Sequence, residues 1–384
     1  MSEMRQTSVS YTDEHEIFRA SVRRFFEEEC APRQAEWREA GMAPHSIWKR
    51  AGELGFLCAR LPEEYGGADA DFLFSVILLE EQARSGAVSP MFSLHSDVVT
   101  PYIAHYGTAE QKAHFLPRMA TGEYVGAIGM TEPSGGSDLK NLRTTARREG
   151  DDYVINGQKT FISNGITCNL LILAAQTERA NGGRAVSLFL VDTDEVEGFK
   201  RGRNLKKLGQ KACDTAELFF EDMRVPSSAL LGGTEGQGFG QLMNRLVEER
   251  LMTAVASMAI IERAMALTIE YVKERKAFGQ RIIDFQNTRF KLAECKTEAK
   301  VLRVFLDRCI QEFMAGELDA AKAAMLKYWA TEQQVSIVDQ CVQLHGGYGY
   351  ILDFPIAQMW ADGRIARIYG GANEVMKDII GRTI

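Results

Sequence analysis

The sequence predicts a mainly α protein with a β-domain, an α+β arrangement of an N-terminal helical domain at 1–125, a middle antiparallel β-domain at 126–232 and a C-terminal helical bundle at 233–384. Three observations carry that prediction. Apolar residues recur three or four apart in the first region. Short runs of β-branched and aromatic residues, separated by Gly, Asn and Asp, fill the second. Long apolar stripes with glycines at their joints fill the third. A chain of 384 residues also exceeds the size at which one hydrophobic core keeps growing.

In the first region Ile17, Val22, Phe25 and Phe26 recur among charges, and Pro32 stands where a helix would stop. Leu61-Pro62 and Tyr65-Gly66-Gly67 mark a turn, after which 72–82 resumes a helical pattern that closes near Gly86. Thr108 and Gln111 have the spacing of a capped helix start. In the second region Tyr153-Val154-Ile155, Asn156-Gly157 and 158–163 read as a hairpin, because Asn-Gly tolerates the positive φ of a type I′ turn. Further short strands are expected at 170–174, 186–191 and 216–220. In the third region 238–273, 285–314 and 318–344 are long helical segments, and Leu292, Cys295, Ala299, Leu302 and Leu306 form one stripe. Long helices with short connections suggest a bundle.

Lys and Arg number 45 against 52 Asp and Glu, a net charge of −7. No sustained basic block offers a footprint for a phosphate backbone, so nucleic acid is not expected as a partner. The seven cysteines are scattered without a CxxC pair, which argues against a disulfide framework or a zinc site and for a reducing compartment. The segment 1–10 is polar, and no run reaches the ~18 apolar residues of a membrane span. A cytoplasmic location is expected.

Five segments are equipped for chemistry. In Met130-Thr131-Glu132-Pro133-Ser134-Gly135-Gly136-Ser137-Asp138 a stiff proline precedes two glycines that let backbone approach a ligand, with hydroxyls on either side. Phe161-Ile162-Ser163-Asn164-Gly165 offers an aromatic face and a hydroxyl. Arg275, in the run ending Phe278-Gly279-Gln280, carries a permanent charge suited to a pyrophosphate. Gln343-Leu344-His345-Gly346-Gly347-Tyr348-Gly349-Tyr350 closes a helix, where its glycines also suit a plain C-cap. In Tyr369-Gly370-Gly371-Ala372-Asn373-Glu374, Asn373 suits an N-cap and Glu374 a first-turn charge. Singly, each segment is equally at home as a turn, a core strand or a helix end.

In this order along one chain, these segments resemble the acyl-CoA dehydrogenase family over essentially the whole length. That resemblance implies a C-terminal four-helix bundle, FAD as cofactor, acyl-CoA as substrate, a homotetramer, and electron-transferring flavoprotein as redox partner. It implies that Ile128, Met130, Thr131, Ser137, Phe161, Ile162 and Ser163 line the flavin. Arg275, Gln286, Gln343, Leu344, His345, Gly346 and Gly347 would hold its pyrophosphate and adenosine half, in part across a dimer interface, and Ala372, Asn373 and Glu374 would complete the site. Ser137, Gly370 and Gly371 would face the thioester and pantetheine.

One departure matters. Many members of the family carry the catalytic glutamate directly after the tyrosine of the motif that reads Tyr369-Gly370-Gly371 here, and glycine offers no base. The long-chain and isovaleryl branches are instead similar at Glu249-Arg250-Leu251, and the long-chain branch also at 368–371 and at Lys327-Tyr328-Trp329-Ala330. Glu249 is therefore the expected base, with Val247, Glu248 and Arg250 beside it on the substrate side. The implied reaction removes the acyl α-proton and passes hydride from the β-carbon to flavin N5, giving a trans-2-enoyl-CoA. Burial would raise the glutamate from its ordinary pKa of ~4.3. A flavin oxidase or monooxygenase on the same scaffold, and a catalytically silent flavin-binding subunit, are the competing readings.

Overall fold

The structure of the protein, a computed structural model, describes residues 7–178 and 183–384; the first six residues of the polar N-terminal segment lie outside them. Helix α1 (Asp13–Phe25) begins at Thr12, whose side chain accepts from the His15 backbone while His15 returns a contact to the Thr12 N–H. Short helices α2 (Gln34–Ala40) and α3 (His45–Glu53) lead to α4 (Phe72–Ser85), capped by Asp71 and ended by Gly86 at φ 83°. Next come α5 (Thr100–Tyr106) and α6 (Ala109–Ala120), and the Thr108/Gln111 capping box is present as the sequence indicates.

Seven strands follow: β1 (Gly126–Gly129), β2 (Thr145–Glu149), β3 (Asp152–Ser163), β4 (Leu170–Glu178), β5 (Arg184–Asp192), β6 (Phe199–Asn204) and β7 (Thr215–Pro226). They form one sheet in the order β1-β4-β2-β3-β7-β6, with β5 added on β4. Pairing is mainly antiparallel, but β4 runs parallel to β1 and β2, so the sheet is mixed. The expected hairpin at Asn156-Gly157 is also corrected. β3 runs straight through this dipeptide, which forms a register shift against β7. Gly157 has φ 146°, and a Cβ there would come within 2.6 Å of the Thr144 hydroxyl, so the glycine serves close packing of the preceding segment. The hairpin lies one turn earlier, where Gly150 joins β2 to β3.

The last region holds α7 (Gly238–Glu274), a two-strand clip of β8 (Lys276–Ala277) and β9 (Gln280–Arg281), then α8 (Gln286–Met314), α9 (Ala320–His345), α10 (Pro355–Gly363) and α11 (Asn373–Gly381). Contrary to the sequence expectation, α7 is long and apolar enough to cross a membrane; 67% of its apolar window is buried in the protein, where it packs on α4, α8 and α9. Its buried residues share one core with Leu292, Cys295, Ala299, Leu302 and Leu306, the stripe read from the sequence.

A buried charge network joins the two helical regions. Arg19 of α1 donates to Glu80 and Glu81 of α4 at 3.0 and 3.1 Å. From α8, Arg303 reaches Glu80 at 3.2 Å and Glu262 of α7 at 2.7 Å, while Arg84 closes the ring to Glu81 and Glu262, both at 2.8 Å. The arginines hold the Glu80 carboxyl down at about 2, overcoming the effect of burial, so it stays ionised. The seven cysteines are free and buried. Among the described residues, no group of three His, Cys, Asp or Glu side chains could hold a metal ion.

Candidate active site

Adjacent residues on a helix point about 100° apart, so Glu248 and Glu249 of α7 must face different surroundings. Glu248 is 2% exposed and ion-paired with Arg60, with Arg245 at 3.6 Å on its second oxygen. Its carboxylate is thus committed to two cations. Glu249 makes no ion pair among the described residues. Its Oε1 accepts from the Tyr102 hydroxyl of α5 at 3.3 Å. Glu249 is partly accessible, yet protein surrounds its carboxyl closely, and that burial pushes its pKa up to about 7 against the lowering effects of Tyr102 and Arg250. Arg250 is buried with its Nε unpartnered, and Val247 is partly buried.

One turn further along α7, Thr253 donates back to the Glu249 carbonyl at 2.9 Å. Its hydroxyl oxygen is also the atom that a Cβ built on Gly370 would meet, at 3.7 Å. The glycine loop before α11 therefore lies against the helix face that carries Glu249. Lys327 of α9 fixes this loop, its fully buried ammonium donating to the Gly371 carbonyl at 2.8 Å and Asn373 Oδ1 at 3.0 Å. Burial lowers the Lys327 pKa to about 8. Asn373 is not the N-cap expected of it: Ala372 holds that position, and the Asn373 side chain turns inward to Lys327, Thr331 and Glu332. Glu374 is exposed in the first turn, as the sequence indicates.

The segment 130–137 and the end of β3 lie side by side. Thr160 donates its N–H to the Thr131 carbonyl at 2.9 Å. The buried Lys159 ammonium bridges the Met130 carbonyl at 3.2 Å and Glu132 at 2.8 Å. Glu132 also accepts from the N–H groups of Arg143 and Thr144, which pins the glycine turn. Phe161 adopts φ 60° and is 66% exposed, while Ile162 points into the sheet core. A large aromatic held outward in a left-handed conformation is a ready face for a flat ring. Ser137 is exposed, and a Cβ on Gly135 would meet nothing within 4 Å, so the turn is open to a ligand. Ile128 is buried in β1 behind this shelf.

A separate cluster stands at the far end of α7. Arg275 is exposed, its guanidinium 5.8 Å from the Tyr348 ring centre. His345 stacks on Tyr271 at 4.3 Å and bonds the Cys341 carbonyl through Nδ1, and burial lowers its pKa. Its ring is thus tied into the helix end. Gln286 and Gln343 are exposed nearby in sequence, Leu344 is partly buried, and Gly346 and Gly347 have open space where a Cβ would stand. An exposed arginine beside open glycines suits a phosphate-bearing group. With the Phe161 shelf, the residues present fit FAD. Sequence reading missed Tyr102 and Lys159, whose roles come from partners distant in the chain; Lys327 was visible only as part of the long-chain resemblance.

The chain matches the N-terminal domain of acyl-CoA dehydrogenase over residues 12–123, the middle domain over 127–223 and the C-terminal domain over 236–384. The long-chain specific mitochondrial acyl-CoA dehydrogenase of Mus musculus is 48% identical over 376 residues, 97% of this chain and 87% of that protein. The crystal structure of an acyl-CoA dehydrogenase from Geobacillus kaustophilus superposes with a TM-score of 0.95 at 46% identity, covering 98% of this chain and 99% of that one. A chain in the structure of the electron-transferring flavoprotein of Acidaminococcus fermentans gives 0.92 at 33% identity over 98% of this chain and 99% of that one. Three consecutive domain matches and nearly full-length identity leave one assignment: the chain belongs to the acyl-CoA dehydrogenase family.

Proposed function

We propose that Glu249 removes the α-proton of an acyl-CoA in an FAD-dependent dehydrogenation. The observation that carries this is the contrast within one dipeptide: Glu248 is neutralised by Arg60 and Arg245, while Glu249 has no cation partner among the described residues and a pKa raised to about 7. Such a carboxylate is ionised often enough at neutral pH to accept a proton and basic enough to hold it. FAD, when bound, supplies the acceptor for the hydride from the β-carbon. The protein's part is positioning: Lys327 fixes the glycine loop beside Thr253, and the loop's backbone is available to polarise the thioester carbonyl. Arg275 would hold the FAD phosphates with a charge-assisted contact. Arg275→Ala should weaken FAD retention by about 10–100-fold, the loss of one such bond. Unchanged FAD affinity on dialysis would remove Arg275 from that role.

The substrate proposed is a medium-to-long or methyl-branched acyl-CoA. Gly370 leaves space where other members carry a carboxylate, and the 48% identity to a long-chain specific enzyme supports the longer chains. Anaerobic flavin reduction across straight and branched thioesters tests this; a preference for butyryl-CoA over every longer or branched one would sink it. In the same assay kcat/KM should fall as pH drops below about 7, because a raised carboxyl pKa leaves less ionised base on the acid side. Electron-transferring flavoprotein is the proposed acceptor. A homotetramer is proposed from the exposed Phe278, Val301, Val304 and Tyr350 of the C-terminal region, apolar surface that a second copy would cover.

A further inference from the structure

We infer that Tyr102 is a positioning residue for the base: its hydroxyl crosses from α5 to hold the Glu249 carboxylate in one orientation toward substrate. This rests on the reading of Glu249 as base and goes one residue beyond it. Tyr102 is fully buried in an apolar cluster with Val99, Ile103, Leu116 and Leu242. A phenol hydroxyl in such surroundings needs a partner, and Glu249 Oε1 is the one it has, at 3.3 Å. That distance is long for O–H···O and leaves room to tighten when substrate completes the site. The Tyr106 ring, 6.5 Å away and one turn along α5, braces the phenol from the side.

The charged groups around Glu249 have other commitments. On α7, Arg245 is shared between Glu248 and His105 of α5, and Arg250 contributes attraction but no hydrogen bond to the carboxylate. On α9, Lys327 is engaged with Gly371 and Asn373. Tyr102 alone among the described residues donates to the Glu249 side chain. It always has a proton to donate, since burial and the neighbouring carboxylate push its own pKa well above the ordinary phenol value. A donor of this kind favours the charged carboxylate and opposes the effect of burial. The hydroxyl therefore sets how basic Glu249 is as well as where it points.

Tyr102→Phe keeps the ring and removes the hydroxyl. Its FAD content and thermal stability should stay close to those of the unaltered protein. The acid limb of the flavin-reduction profile should move to higher pH, so that the rate at pH 6.5 falls several-fold more than the rate at pH 8.5. Difference infrared titration, with Glu249→Gln subtracted, should show the Glu249 carboxyl losing its proton at higher pH in Tyr102→Phe. In Glu249→Gln, adding Tyr102→Phe should change the residual rate little, because the two residues act as one unit. An unshifted acid limb together with additive losses overturns the inference. Near-normal reduction by Glu249→Gln alone would instead overturn the assignment of the base, and the infrared shift would still report whether the contact exists.

Discussion

Glu249→Gln should bind FAD and acyl-CoA yet reduce the flavin roughly 10²–10⁴-fold more slowly, the usual worth of a positioned general base. The amide keeps the shape and can still accept the Tyr102 hydrogen bond, so binding and rate should separate cleanly. Stopped-flow reduction with the best thioester is the measurement, and a near-normal rate would falsify the assignment. The loop offers a control. Gly370 sits against Thr253 with a Cβ separation of 3.7 Å, ordinary contact, so a side chain there points toward the same part of the site. Adding Gly370→Glu should restore part of the lost rate. Recovery will be incomplete, since φ 64° costs a non-glycine residue about 1–2 kcal/mol.

Arg303→Met should be the most destabilising single change outside the site. The arginine neutralises Glu80 and Glu262 and lies 3.7 Å from Asp307, with no solvent to replace it. Removing one partner of a buried ion network leaves uncompensated charge and costs about 3–5 kcal/mol. For a protein of 384 residues, a fall of roughly 4–6 °C in Tm is expected. Arg303→Lys keeps the charge but loses the two-pronged reach, and should fall between. A Tm within ~2 °C of the unaltered protein in Arg303→Met would show that the network contributes little. The sign with pH is fixed by Glu80, whose pKa is depressed to about 2. Its contribution is present above the unfolded carboxyl value and is lost as pH falls through the folded one.

Long periodic helices were legible because a stripe such as Leu292 to Leu306 needs only local sequence to declare its face, and the Thr108/Gln111 cap is equally local. Asn156-Gly157 misled because the dipeptide serves a tight turn and a strand irregularity alike; what decides is the Thr144 backbone packed against it, twelve residues upstream of Asn156. Asn373 misled for a related reason, its side chain drawn inward by Lys327 instead of capping α11. At the site, the five ligand-suited segments could be found one by one. Their grouping into a shelf near Phe161, a loop near Glu249 and a cluster near Arg275 could not. Which of two neighbouring glutamates is free depends on Arg60, 188 residues away in sequence, and no spacing rule reaches that far.

The length of α7 constrains how the site is shared. Glu249, three turns into α7, and Arg275, the residue that caps its C-terminal end, stand roughly 39 Å apart along the helix at 1.5 Å per residue. To touch both, a single FAD would have to lie fully stretched along this rod with both side chains at full reach. In the proposed assembly of copies, each chain would keep the ring of one flavin beside its Glu249 and lend Arg275 to the phosphates of a flavin whose ring belongs to another copy. The helix would then act as a ruler between two cofactors. On that proposal, a lone subunit would hold the ring of its cofactor and leave the phosphates without their arginine.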